Sequence, residues 1–590
     1  MNPMKNALSL LFAMLFAAQC FAQAIVDPAL SRSLAKRGSA EVLAIMTTQT
    51  DLSPADALAT KTEKGQWVFE RLTTNAATSQ ASLVAWLRAN HLEHQSFWVV
   101  NAVRITGITA SQLAELSRRS DIARLENDGR LVVEQPAADE SNAITRNTMR
   151  FSGVPTNEWG IDKIHADQVW ALGYLGNGIV VAGEDTGISW EEPAIKSKYR
   201  GWNGTTVEHS YNWHDAIHML DTNHNVTTPN PCGLNIIAPC DDHGHGTHTV
   251  GTMIGDTIQN TRIGVAPNAR WIGCRNMERG NGMPSTYIEC FQWFIAPTDL
   301  NGANPMPSKA PHVINNSWGC PPDEGCNPSN FATMNAVINA VRAAGIVPVV
   351  SAGNDGPGCS SVMNPASIFQ NSFTVGATRD DDLIAGFSSR GPVAIDSSNR
   401  RKPDVAAPGV HILSCLPGGA SAAWSGTSMA GPHVAGAVAL LLSARPQLIG
   451  QVAAIELLLQ QTAEPLFPAT GEECGGDNAT TRPNNTFGWG RINILAAVQQ
   501  ALATNNAISD DGTKVSCYPN PTTTETEFRV SGFTFDATFT LTNAAGQCVY
   551  TARIRTDAPY TLPTTALPSG VYFFSLTDGA HRANGKLVRQ

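Results

Sequence analysis

Gly178-Ile179-Val180-Val181-Ala182-Gly183-Glu184-Asp185-Thr186-Gly187 is a short apolar run that ends in two acids and a turn. Similar runs recur at His312-Val313-Ile314-Asn315 and Ile346-Val347-Pro348-Val349-Val350-Ser351, with helical stretches between them. A strand without polar alternation has both faces covered. The pattern therefore predicts a mostly parallel sheet between helices, an α/β unit over residues 158–503. Sheets of this type carry their sites at the carboxyl ends of the strands, where Asp185 falls. An Asp at a strand end also serves as a turn former, so this residue decides nothing alone.

The texture changes on both sides of this unit. Residues 23–134 are short on Gly and predict a small α+β unit, with helices over 79–92 and 111–119 and a strand–turn–strand over 124–133 around Asn127-Asp128-Gly129. Residues 135–157 are polar and predict a linker, as do 504–513. Thr-rich alternating runs at 537–541 and 571–576 predict a small β-sandwich over 514–590. At the front, Lys5 precedes an uncharged apolar run over 7–18 and then Ala22-Gln23, the order of a secretory signal peptide over 1–22. That run is too short to span a bilayer, and no later segment reads as apolar enough. A lipid anchor at Cys20 fits less well, because Gln19 is not small.

Composition narrows the classes. Of 590 residues, 42% are hydrophobic and 15% charged, which excludes global disorder. A net charge of −10 argues against nucleic acid as the main partner. Secretion makes disulfides the default use of the cysteines. Cys232/Cys240, Cys274/Cys290 and Cys320/Cys326 are the closest pairs, and Cys517 with Cys548 would close the C-terminal unit. Nine cysteines from Cys232 to Cys474 leave at least one thiol over.

Two further stretches carry chemistry. Asp241-Asp242-His243-Gly244-His245-Gly246-Thr247-His248 allows a metal reading on His243, His245 and His248, or a single catalytic His at a helix start. Ser425-Gly426-Thr427-Ser428-Met429-Ala430-Gly431-Pro432-His433-Val434-Ala435-Gly436 opens a helix of small and apolar residues. Ser428 at its N-terminus is either an N-cap or a nucleophile beside backbone N–H groups. Asp185, His245 and Ser428 occur in the order Asp, His, Ser, the chain order of subtilisins.

With D-T-G, H-G-T-H and G-T-S-M-A-x-P-H-V-A-G together, residues 159–502 resemble the subtilisin family of serine endopeptidases. Glu158-Trp159-Gly160-Ile161-Asp162-Lys163-Ile164 and Ile314-Asn315-Asn316-Ser317-Trp318-Gly319 resemble its bacillopeptidase F branch. The resemblance implies a triad of Asp185, His245 and Ser428, with Asn354 in the oxyanion hole. It also implies substrate contacts at Ser317, Trp318, Gly319, Ser351, Ala352 and Gly353. Chemistry would need no cofactor. Calcium is a structural ion in the family, although the 255–264 loop does not reproduce its strong calcium loop.

Residues 38–133, closing on Leu125-Glu126-Asn127-Asp128, resemble the subtilisin-type propeptide, an inhibitor and folding aid. Tyr518-Pro519-Asn520-Pro521, Gly570-Val571-Tyr572-Phe573-Phe574 and Gly585-Lys586-Leu587-Val588 resemble the sorting domain of type IX secretion cargo. The implied protein is a secreted or cell-surface endopeptidase made as a self-processed prepro-enzyme. Its partners would be peptide substrates, its own propeptide and the type IX machinery. The rivals are a metal-dependent hydrolase on the three histidines and a non-catalytic surface protein.

Overall fold

The computed structural model describes residues 23–129, 155–221, 230–503, 507–508, 514–518, 520, 522–533, 536–543, 546–579 and 581–589. The expected signal peptide and most of the 135–157 stretch lie outside the described residues. Just after them, Thr156-Asn157 pairs in parallel with Thr261-Arg262.

The N-terminal unit is a five-stranded sheet with helices. Its elements are β1 (Ile25–Val26), α1 (Pro28–Arg37), β2 (Ala40–Met46), α2 (Lys61–Ser79), α3 (Ala81–Ala89), β3 (His94–Phe97), β4 (Ala102–Ile108), α4 (Ala110–Leu116) and β5 (Ile122–Asn127). The strands lie in the order β1-β5-β2-β4-β3. The predicted 79–92 helix is shorter than expected, and the longer α2 precedes it. Gln80 separates the two helices because its buried side chain leaves for the sheet, where Nε2 donates to Phe97 O (3.2 Å) and Asn101 Oδ1 (2.9 Å). The sequence reading missed α2, whose start is fixed by a capping box between Thr60 and Glu63. The predicted 124–133 strand pair begins as β5, and its second strand falls outside the described residues.

The central unit is built on seven parallel strands: β6 (Val180–Asp185), β7 (Trp213–Asp215), β8 (Arg270–Arg275), β9 (Val313–Asn316), β10 (Val347–Ser351), β11 (Phe373–Thr378) and β12 (Val405–Pro408). Their order is β12-β11-β10-β9-β6-β8-β7. Alternate strand residues feed two separate cores. Val181, Val313 and Val349 join one, with α5 (His245–Ile254) and α8 (Thr427–Ala444). Ala182, Ile314 and Val350 join the other, with α6 (Pro284–Ile295) and α7 (Phe331–Ala343). Two-sided burial explains why the strands read as continuous apolar runs.

Helix α8 is apolar all round because it runs through the first core. Val434, Val438, Leu440 and Leu441 have no exposed surface, and each contributes roughly 1.5–3 kcal/mol of burial. By length and composition it meets the test for a membrane span, contrary to the sequence reading that no later segment does. Yet 89% of it is buried inside the protein. A hairpin, β13 (Ile412–Leu416) and β14 (Ala420–Trp424), leads into it, and α9 (Val452–Gln461) and α10 (Ile494–Ala503) follow.

The C-terminal unit has two four-stranded sheets. One contains β15 (Lys514–Tyr518), β16 (Glu525–Ser531) and β19 (Tyr560–Pro563), and the other orders β18 (Cys548–Arg555), β17 (Asp536–Asn543), β20 (Gly570–Thr577) and β21 (Arg582–Arg589). They close over Phe528, Phe539, Phe574 and Leu587.

The three close cysteine pairs form disulfides. Cys359–Cys474 is a fourth, joined across 115 residues, which spacing could not suggest. Cys415 is the unpaired thiol of the central unit among the described residues. The expected Cys517–Cys548 bridge is corrected: Cys517 is buried in the sandwich core, whereas Cys548 is exposed and both are free.

Candidate active site

Asp185 ends β6, His245 begins α5 and Ser428 is the second residue of α8, so three elements converge at the carboxyl edge of the sheet. His245 Nδ1 meets Asp185 Oδ1 at 2.8 Å and Oδ2 at 3.0 Å. Asp185 also accepts from Thr186 N (2.8 Å) and Thr249 Oγ1 (3.4 Å). Burial opposes an imidazolium at His245, but the adjacent Asp185 carboxylate outweighs it, and the pKa is raised above the ordinary value.

Asp241, which sequence reasoning passed over, shapes the loop that presents His245. Its Oδ1 accepts from Thr186 Oγ1, His243 N and Gly244 N at 2.9, 3.0 and 2.7 Å. Its Oδ2 accepts from Thr247 N and Oγ1 at 2.9 and 2.6 Å. An Asp three residues before Gly244 was the available signal. Gly246 is demanded by close approach, since a Cβ there would lie 2.0 Å from Gly187 O.

Glu184, beside Asp185, is fully buried and its Oε1 accepts from Asn276 Nδ2 at 2.9 Å. Burial, with the Asp185 charge adding to it, pushes its pKa well above the carboxylate range.

Ser428 and His245 line one cleft of about 270 Å³. The Ser428 hydroxyl donates to Ser317 O at 3.1 Å. Pro432 explains a second tie. Lacking an N–H, it leaves the Ser428 carbonyl without its i+4 donor, and Ser317 Oγ donates there instead at 2.8 Å. Asn354 Oδ1 accepts from Thr427 N (2.9 Å) and Thr427 Oγ1 (3.0 Å), which fixes the amide. The nitrogen ends beside Gly426: Asn354 Nδ2 and Ser428 N lie 3.7 and 3.6 Å from the position a Gly426 Cβ would take.

The predicted substrate-binding residues gather here. Ser317, Trp318, Gly319, Ser351 and Gly353 line the cleft. Ala352 is buried and ties its N–H to Val375 O at 3.0 Å. Trp318 lines the cleft while its ring stacks on Tyr287 at 3.9 Å.

The other two histidines take different partners. His248 Nε2 contacts Ala422 O at 3.2 Å, and its ring stacks on Trp424 at 4.6 Å. Burial, with the neighbouring His245 charge, lowers its pKa to about 3. His243 meets His245 edge to face, with ring centroids 6.3 Å apart. Among the described residues, no group of three His, Cys, Asp or Glu is arranged to hold a metal. Nor does the 255–264 loop suit calcium. Its one carboxylate, Asp256, pairs with Lys198 (3.1 Å) and accepts from Ser197 Oγ (3.2 Å).

The subtilase family matches residues 176–490, more than half of the chain, and a secretion system C-terminal sorting domain matches 516–590. Bacillopeptidase F of Bacillus subtilis is 35% identical over 459 residues, covering 75% of this chain and 29% of that protein. Subtilisin E of Bacillus subtilis is 31% identical over 290 residues, covering 49% and 61%. The subtilisin of Bacillus pumilus has the same identity over 290 residues and is covered to 85%. The chain thus spans less than two thirds of the length of the first two relatives. Its sorting-domain match marks it as a secreted or cell-surface protein. By the family match and by these relatives, the chain belongs to the subtilase family.

Proposed function

We propose that the chain is a serine endopeptidase acting through Asp185, His245 and Ser428. The observation that carries this reading is the Asp185–His245 pair at 2.8 Å opening onto the cleft that holds Ser428. Rotation of the Ser428 hydroxyl from Ser317 O towards His245 would let the imidazole take its proton as Oγ attacks a peptide carbonyl. Asp185 holds the imidazole tautomer and stabilises the imidazolium, which then protonates the leaving amine. The Ser428 N–H and Asn354 Nδ2 meet the developing oxyanion. An acyl-enzyme on Ser428 is then hydrolysed by water. An extended peptide would lie between residues 317–319 and 351–353, with main-chain pairing giving most of the affinity.

The same reading assigns residues 23–134 as a propeptide that inhibits the site and assists folding, removed by self-cleavage within 134–157. Residues 514–590 serve export by type IX machinery. Support for the first comes from Asp128, whose Oδ1 accepts from Ser285 N at 2.9 Å and so caps α6 of the central unit from the N-terminal unit.

Ser428→Ala tests the reading: peptidase activity should fall on the order of 10⁶-fold, the scale known for removing a subtilisin nucleophile, with the fold intact. The N-terminal unit should also stay attached in pure Ser428→Ala protein. Activity near wild type would reject the assignment, and immediate zinc-reversible loss with chelator would favour the metal reading.

A further inference from the structure

We propose that the central unit carries a second docking site for the N-terminal unit, a lysine socket between Gly345 and Gly450, and that Lys61 in this socket makes retention of the N-terminal unit pH-dependent. The proposal rests on the reading of residues 23–134 as a detachable propeptide.

The socket is built on both sides. Gly345 and Gly450 have φ of +77° and +84°, and a Cβ on Gly450 would lie 2.9–3.0 Å from Lys61 N, Cα and Cβ. The Lys61 backbone therefore occupies space that only a glycine leaves. Lys61 Nζ donates to Ala310 O at 3.0 Å, and Lys64 Nζ, one turn on, to Gly450 O at 3.1 Å. Gln451 Nε2 donates to Ala59 O at 3.1 Å, which secures the start of α2. None of these residues lines the catalytic cleft. Lys64 and Gly450 instead edge a crevice of about 870 Å³ between the two units, so the socket is a local clamp and not part of a continuous packed interface.

The socket suits a lysine stem better than an ammonium. Lys61 is 9% exposed, and among the described residues no carboxylate pairs with it. Facing it are Arg200, which donates to Lys309 O and Tyr211 O, and His312, whose Nδ1 accepts from Val180 N at 3.0 Å. Lys309 lies over the Tyr211 ring, and Glu63 is committed to capping Thr60 at the surface. Burial, with the Arg200 charge adding to it, lowers the Lys61 pKa to about 7. An exposed lysine titrates near 10.4. A depressed docked pKa means that docking is strongest above the free value. It weakens as pH falls towards 7 and changes no further below that.

The test uses full-length Ser428→Ala protein with a recognition sequence for an unrelated protease inserted in residues 135–157. After cutting, release of the N-terminal fragment is followed by gel filtration from pH 6 to 10. Affinity should rise towards about tenfold per pH unit above pH 7. Lys61→Met should flatten that rise and hold the fragment more tightly at pH 7. Lys64→Met should weaken retention about tenfold with the slope kept. An unchanged slope in Lys61→Met, weaker retention by it at pH 7, or a fragment that stays bound equally at every pH would overturn the proposal. Failure of the wild-type chain to cut itself would contradict self-processing and leave this test standing, because the added protease makes the cut.

Discussion

The two flanking units are joined to the central unit in opposite ways. The N-terminal unit is fastened by side chains aimed at specific atoms: Gln95 Nε2 donates to Glu289 Oε2 at 2.8 Å, Trp98 N to Gln292 Oε1 at 2.7 Å, and Arg124 to Thr333 at 3.0 Å. In the C-terminal unit, strand β15 packs on the last central helix, α10. These three contacts fall on α6 and α7, helices packed on the core beneath the strands that end at the cleft. On the proposed reading, the N-terminal unit is an inhibitor and folding aid that has to complement the surface it covers. An export signal has only to fold by itself and be reached, and the C-terminal unit closes its own core.

The largest effect should come from deleting each unit in turn. Without residues 23–129, no active enzyme should be recovered from expression. Truncation after Asn506 should leave peptidase activity in purified protein while trapping the enzyme inside the native host's outer membrane. Equal activity from both deletions would erase the contrast, and unchanged secretion of the truncated chain would refute the sorting role.

Asp185→Asn ties the N-terminal boundary to the chemistry. Turnover should drop about 10⁴-fold, with export signals untouched. In wild type the base must be neutral, so kcat/KM should rise with pH through a His245 pKa above the ordinary histidine value. Losing the carboxylate should move that acid limb to lower pH. A pH–rate series on a peptide substrate reads both, and an unmoved limb would remove Asp185 from its role.

A smaller, local effect is expected at the N-terminal unit. Arg104 Nε meets Asp128 at 2.7 Å, with the Asp side chain fully buried. Arg104→Ala strands that carboxylate, which should cost about 3–5 kcal/mol and loosen the cap on α6. Denaturant unfolding of the Ser428→Ala precursor would measure it, and a change below about 0.5 kcal/mol would mean the pair does not hold the interface. Smallest of all is Cys548→Ser. An exposed free thiol on β18 should contribute within about 0.5 kcal/mol, and a large loss of stability would imply a disulfide the fold does not contain.

How much of this was legible follows from where the information sits. Val181, Val313 and Val349 announced the sheet because burial on both faces leaves no polar alternation to obscure the strand. Asp185, His245 and Ser428 stood in motifs whose residue types the proposed chemistry dictates, and Asn354 entered through the family resemblance. Asp241, Glu184 and Thr427 were invisible for a different reason: their importance is three-dimensional, set by which N–H or hydroxyl each one meets. Helix α2 was missed because its buried stripe, with Val68, Leu72 and Ala76, opens with two lysines, Lys61 and Lys64, that are buried against another unit. An inward-facing lysine reverses the hydrophobic pattern that marks a helix in sequence. The Cys359–Cys474 bridge closes a loop too long for spacing to suggest.

The most direct test of the central claim is labelling of the purified mature chain with a serine-directed phosphonate, followed by peptide mapping. The account predicts one adduct, on Ser428, unaffected by chelator and lost in His245→Ala, because only a base-activated hydroxyl reacts at that rate. Absence of an adduct in folded protein, or labelling elsewhere with Ser428 untouched, would contradict it.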